Sequence, residues 1–226
     1  MLLREHQWRK RLRLKRHRLL PKMYQRYDKT PVWAAQLHVL DQDLKRMPYM
    51  NRTNVIRLVQ RHAATVPWHP YTQGHLYIIR TMAFVLHDES SLFWGYTRIC
   101  RQLYPYGPDT VWGSRVVPDW VYDAIVDKVD VCRDLFDVVI RFRWIYILFG
   151  QTFTTPSTIC TAWDYVLSGT GCIHRLCHAL LLYAVDRVDR DAICAIQQLS
   201  LLASIQIDSD ADVAEIIAQA QAIKVQ

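Results

Sequence analysis

The chain has 226 residues, of which 51% are apolar, with 8 Trp, 12 Tyr and 6 Phe, enough for one substantial core or a small pair of domains. Its net charge of +7 is uneven: residues 1–26 carry ten Arg and Lys against the single acid Glu5, leaving 18 basic and 20 acidic side chains for the other 200 residues. No apolar run approaches the about 20 residues that span a bilayer, and the N-terminus lacks the apolar stretch of a signal peptide. The six Cys are dispersed through apolar segments with no C-x-x-C pair, so a disulfide scaffold is not expected. These properties point to a cytosolic or nuclear protein.

Residues 1–30 read as a basic arm, and 31–226 as a helical domain. Within the arm, Trp8 to Arg18 has weak helical spacing opposed by like charges at i,i+4. Such an arm is open to several uses: a solvated tail, a nuclear-import signal, phosphate contacts with nucleic acid through residues 1–26, or attraction to an anionic membrane surface.

From Pro31 the spacing predicts a series of helices. The first spans Val32 to Arg46 and closes before Pro48. The second is carried by Val55, Ile56, Leu58 and Val59. Pro67 and Pro70 make a short loop, and the segment Tyr71-Thr72-Gln73-Gly74-His75 opens a helix running through Leu76, Ile79, Met82, Phe84 and Leu86. Ser90 is the expected N-cap of the next, with Leu92, Phe93, Tyr96, Ile99 and Leu103. Residues 104–118, with three Pro and two Gly, form a loop that separates two helical halves.

A helical stretch then runs from Trp120 towards Phe149, with a break near Asp137. Thr155 before Pro156 is an N-cap followed by Pro at the first helical position. Three further helices are expected at about 172–186, 189–204 and 210–224, the last capped by Ser209 with Asp212. The prediction is an all-α protein. His174 and His178 stand four apart, but the spacing lacks a glutamate and a third ligand. They are read as structural, with no metal and no cofactor.

Asp43 and Arg46, three residues apart, share a helix face, and Gln73 directly precedes Gly74. An arginine and a glutamine presented together suit phosphate chemistry in which a partner holds the nucleotide. The order of further segments matters: Leu40-x-x-Asp43-x-x-Arg46, then Tyr71-x-Gln73-Gly74, then Phe93-Trp94. Arg143-Trp144 through Phe149 and Phe153 come next, followed by Trp163-Asp164-x-x-Leu167 and the helical run from Ala179 to Tyr183.

This series, over about residues 32–224, resembles the TBC domain, the all-helical GTPase-activating domain for Rab-type small GTPases. The resemblance implies that Arg46 is an arginine finger and Gln73 a glutamine finger. Asp43 would hold Arg46, Tyr71 would fix the loop, and Gly74 would let the partner approach. Trp144, Phe149, Phe153 and Trp163 would be core. GTP and Mg²⁺ would be held by the GTPase, so the chain itself needs no cofactor. The chain departs from the family pattern at Leu40, Met47, Thr72 and His75, and its interval between Arg46 and Gln73 is short.

Three functions are therefore in view. The first is a Rab GTPase activator supplying both fingers, cytoplasmic and peripheral to membranes. The second is a catalytically inactive TBC-like module that binds a Rab or another partner. The third is a helical protein that binds nucleic acid through its basic arm.

Overall fold

A computed structural model describes residues 2–14, 34–66, 71–103, 117–123, 137–169, 172–187, 200 and 203–224. The described residues are helical apart from turns and one isolated parallel bridge between Phe153 and Ile207, so the protein is all-α. The chain divides into two compact units, Met1–Ser114 and Arg115–Gln226, with the division falling in the expected Pro- and Gly-containing loop. Residues 104–116 of that loop lie outside the described residues, as do 124–136 and most of the helix expected at 189–204. No helix among the described residues is long and apolar enough to cross a membrane.

In the first unit, α1 spans Leu2–Arg11, α2 Ala34–Arg46, α3 Arg52–Thr65, α4 His75–Ala83 and α5 Glu89–Leu103. Helix α2 packs on α3 and α4, and both of those pack on α5. The reason lies in the apolar stripes. Leu40 and Leu44 on α2, with Met47 just past its end, are buried at helical spacing, and Asp43 is buried in the same stripe. Asn51 caps α3 by accepting the Asn54 backbone N–H at 3.0 Å.

Two expectations in this unit are corrected. Helix α4 ends at Ala83 rather than running to Leu86, because the chain turns at Phe84 and Val85 and their N–H groups bond back to Thr81 and Met82. Leu86 is nonetheless buried. The N-cap of α5 is Asp88, not Ser90: the Asp88 carboxylate accepts the Ser91 backbone N–H at 2.8 Å. A carboxylate is a stronger acceptor at a positive helix end than a hydroxyl, and Ser90 is buried inside the first turn.

Of the basic arm expected at residues 1–30, residues 2–14 are described and are not a solvated tail. Trp8, Leu12 and Leu14 are buried. Arg9 bonds to Ser91 and Asp88 of the α5 N-terminus at 2.5 Å each, and to Glu5 through Nε at 2.9 Å. Residues 2–14 are thus part of the first unit. The apolar side chains outweigh the like-charge spacing because burial of a tryptophan and two leucines is worth several kcal/mol, against a few tenths for each i,i+4 repulsion.

In the second unit, α6 spans Trp120–Asp123, a π-helical turn covers Ile140–Ile145, α7 is Pro156–Val166, α8 Cys172–Val185 and α9 Asp210–Ala222. Helix α8 is central, packing on α6, the π turn, α7 and α9. Its apolar face includes Leu176, Cys177, Leu180 and Leu181. The expected caps are present. Thr155 and Thr158 form a reciprocal capping box with Pro156 in the first turn, and Ser209 accepts from the Asp212 N–H. Trp144, Phe149, Phe153 and Trp163 are all fully buried, as expected of core residues.

The expected α-helical run into Phe149 is instead wound as π. The N–H of Tyr146 bonds to the Arg141 carbonyl and that of Phe149 to the Trp144 carbonyl, each five residues back. Leu148 and Phe149 then take φ of 47° and 61°, a left-handed conformation uncommon for such side chains. The Trp163 indole donates to the Leu148 carbonyl at 2.9 Å, satisfying a group that this turn removes from regular helix bonding.

Candidate functional site

Of the five residues singled out in the sequence, Arg46, Tyr71 and Gly74 converge on the carboxylate of a fourth, Asp43, and Gln73 lies in the turn between Tyr71 and Gly74. Asp43 sits in the last turns of α2 and is 3% exposed. Its Oδ2 accepts the Tyr71 hydroxyl at 2.7 Å and the Gly74 backbone N–H at 2.8 Å. Its Oδ1 faces Nη1 of Arg46 at 3.3 Å. A buried carboxylate is costly unless its lone pairs are used; here three donors, one of them cationic, use them. Asp43 therefore ties the end of α2 to the turn that begins α4, across 31 residues of chain.

The turn is shaped for that contact. Gly74 has φ of 91°, a backbone conformation in which a Cβ would be strained. The His75 N–H bonds to the Thr72 carbonyl at 3.1 Å, closing the turn. The Gly74 N–H is one of the donors that the first turn of α4 cannot satisfy within the helix, and Asp43 takes it. Tyr71 is 4% exposed, with its hydroxyl aimed inward. Gln73, between these anchored neighbours, is exposed.

Arg46 is 60% exposed despite its contact with Asp43. The neighbouring cations are engaged elsewhere: Asp41 pairs with Arg52 and with Lys45, the latter at 3.6 Å. The hydrogen bond from Arg52 holds the Asp41 carboxyl below the usual carboxylate range. The site thus offers an exposed guanidinium in contact with a buried acid, and an exposed glutamine in a turn whose Tyr71 and Gly74 donate to the same acid.

Behind the turn lies a residue whose role the sequence did not reveal. His75 was notable only as a departure from the family pattern. It is fully buried, and its Nδ1 lies 2.9 Å from the Tyr96 hydroxyl of α5. Its ring also meets Tyr71 and Tyr96 edge-on, with centroids 5.9 Å away in each case. His62 of α3 also meets Tyr96, with ring centroids 4.6 Å apart and the planes tilted by 58°, and its Nδ1 lies 3.1 Å from the Thr97 hydroxyl. Tyr71, His75, Tyr96 and His62 form a continuous polar-aromatic support under Gln73 and Gly74. Only a buried position within the apolar run of α4 could have hinted at His75; its partner is 21 residues away.

The other candidates recede. His178 Nδ1 lies 3.1 Å from the carbonyls of Trp120 and Val121, so this histidine fastens α8 to α6. Among the described residues no group of three His, Cys, Asp or Glu side chains could hold a metal. Cys100 and Cys177 are buried, and burial pushes both thiols up, away from the thiolate a nucleophile needs. No protein-family model, curated protein or solved structure matches the chain.

Proposed function

We propose that this chain is a GTPase-activating protein for a Rab-type small GTPase, acting with two fingers in the manner of the TBC domain it resembles. The observation that carries the reading is the position of Asp43. One buried carboxylate holds Arg46, Tyr71 and Gly74 together, so an exposed arginine at the end of α2 and an exposed glutamine in the turn before α4 are tied to one acceptor.

GTP hydrolysis needs a positioned water and neutralisation of charge developing on the phosphate oxygens. In this proposal the partner supplies the nucleotide and Mg²⁺. Arg46 leaves Asp43 at little cost, because the 3.3 Å contact is long and the guanidinium already faces solvent. It then bonds the phosphate oxygens. A finger of this kind is worth roughly 10³–10⁵ in rate, or about 4–7 kcal/mol of barrier. Lysine would substitute poorly, lacking the planar fork of donors. The Gln73 amide orients the attacking water, accepting a hydrogen bond from it through the carbonyl oxygen and donating one to phosphate through the NH₂. Gly74, with no side chain, leaves room for the partner's backbone beside it.

Single-turnover GTP hydrolysis across a panel of Rab GTPases tests the reading. Acceleration of at least one Rab is expected, falling by roughly 10³ or more in Arg46→Ala and strongly in Gln73→Ala, with both variants folded. A folded protein that binds a Rab and accelerates none would replace catalysis by a binding role.

A further inference from the structure

The outer face of α1 has a composition that its packing does not explain. Trp8 faces inward and is fully buried, as are Leu12 and Leu14 just beyond the helix. The opposite stripe, at i, i+3, i+4 and i+7, is Leu3, His6, Gln7 and Lys10, all exposed. Leu2 and Leu3 stand 84% and 71% exposed. Arg13, also exposed, follows in a left-handed turn with φ of 56°. The first 26 residues contain one acid, Glu5. That acid is held by Arg9 of the same helix through Nε and Nη2, at 2.9 and 2.7 Å.

Here the geometry points to a membrane-docking face: α1 lies on an anionic lipid surface, with Leu2 and Leu3 entering the acyl boundary and Lys10 and Arg13 meeting headgroup phosphates and carboxylates. Charge complementarity selects an anionic surface over a neutral one. The paired leucines select lipid over nucleic acid. Phosphate-backbone binding uses cations and polar donors and gains nothing from exposed leucines, whereas an interfacial helix combines cations with apolar side chains that gain by leaving water. The inward face is already used by Trp8, so docking requires no unfolding of the first unit. Arg9, which ties α1 to Asp88 and Ser91, makes the helix a rigid attachment rather than a tether. This inference does not rest on the GTPase reading, since none of its residues belongs to the site around Asp43.

The full chain is sedimented with vesicles of phosphatidylcholine alone and of phosphatidylcholine mixed with phosphatidylserine. Binding to the mixed vesicles, weakened by salt, is expected, with little to the neutral ones. Lys10→Gln with Arg13→Gln should weaken it by about fivefold for each cation removed. Leu2→Ser with Leu3→Ser should weaken it roughly tenfold, with unchanged thermal unfolding because these side chains are exposed. Arg46→Ala should bind vesicles like the unaltered protein, which keeps this test separate from the hydrolysis assay. No binding to the mixed vesicles, or binding by both double variants as tight as that of the unaltered protein, overturns the proposal. So does tight binding to a DNA or RNA duplex that the leucine variant retains, which would assign the face to nucleic acid.

Discussion

Asp43 and Gly74, 31 residues apart in the chain, meet through a 2.8 Å hydrogen bond from the glycine N–H to a carboxylate oxygen that is almost fully buried. The same oxygen accepts the Tyr71 hydroxyl. The end of α2 and the start of α4 therefore share one acceptor, and the turn carrying Gln73 takes its geometry from that acceptor.

Asp43→Ala should cost about 2–4 kcal/mol, because it strands the Tyr71 hydroxyl and the Gly74 N–H in a buried site. Tyr71→Phe should cost less, about 1 kcal/mol, since Asp43 keeps its other donors. Urea denaturation of both variants measures the difference. A smaller loss for Asp43→Ala than for Tyr71→Phe would contradict the shared-acceptor account.

Gly74→Ala places a Cβ in a left-handed backbone conformation and should destabilise by about 1–2 kcal/mol. Gly95→Ala should also destabilise, by about 1–3 kcal/mol, for a different reason: its Cβ would collide with Cε of Met82 and crowd Leu86. Shortening Met82 should relieve the Gly95 variant and leave the Gly74 variant unchanged. A double-mutant cycle on thermal unfolding separates strain in the backbone from crowding in the core.

Trp8→Ala should destabilise the first unit by about 3–5 kcal/mol. If residues 2–14 were a solvated arm, the change would be near zero. Chemical denaturation followed by circular dichroism reads it directly.

Asp88 gives the protein a defined response to acid. Burial raises its pKa, but hydrogen bonds from the Ser91 side chain and backbone, together with the Arg9 guanidinium, outweigh burial and leave it below the usual value of 3.8. A depressed folded-state pKa contributes stability that is full above the unfolded-state value and lost as pH falls through the folded one. The stability difference between the unaltered protein and Asp88→Asn should therefore be constant from neutral pH to about pH 5 and shrink below about pH 4. Urea midpoints at several pH values test the sign; a difference that widens on acidification would reverse it.

Much of the fold was legible in the order of residues, because helix signals are local. Thr155-Pro156 and Ser209 were readable as caps, since a cap involves residues only three apart. The apolar spacing was enough to expect a helix at about 172–186, though not its central place in the second unit. Signals of equal local strength were less reliable where two residues competed, as Asp88 and Ser90 did for the start of α5. The π winding before Phe149 was not legible. The Leu148 carbonyl in the turn that follows is satisfied by Trp163, from another helix 15 residues on.

The candidate site divides along the same line. Asp43, Arg46, Gln73 and Gly74 could be named from spacing and from resemblance alone, because they lie in two short segments. That one carboxylate joins the two segments, that His75 and Tyr96 support the turn from beneath, and that Trp8 draws the basic N-terminus into the first unit are tertiary facts. Hydrogen bonds at 2.8 Å and buried aromatic contacts act between residues tens of positions apart, and no local pattern encodes which distant partner burial will select. Local propensity and apolar period dictate which segments become helices; the satisfaction of buried polar groups, which only close packing enforces, decides what those helices hold in place.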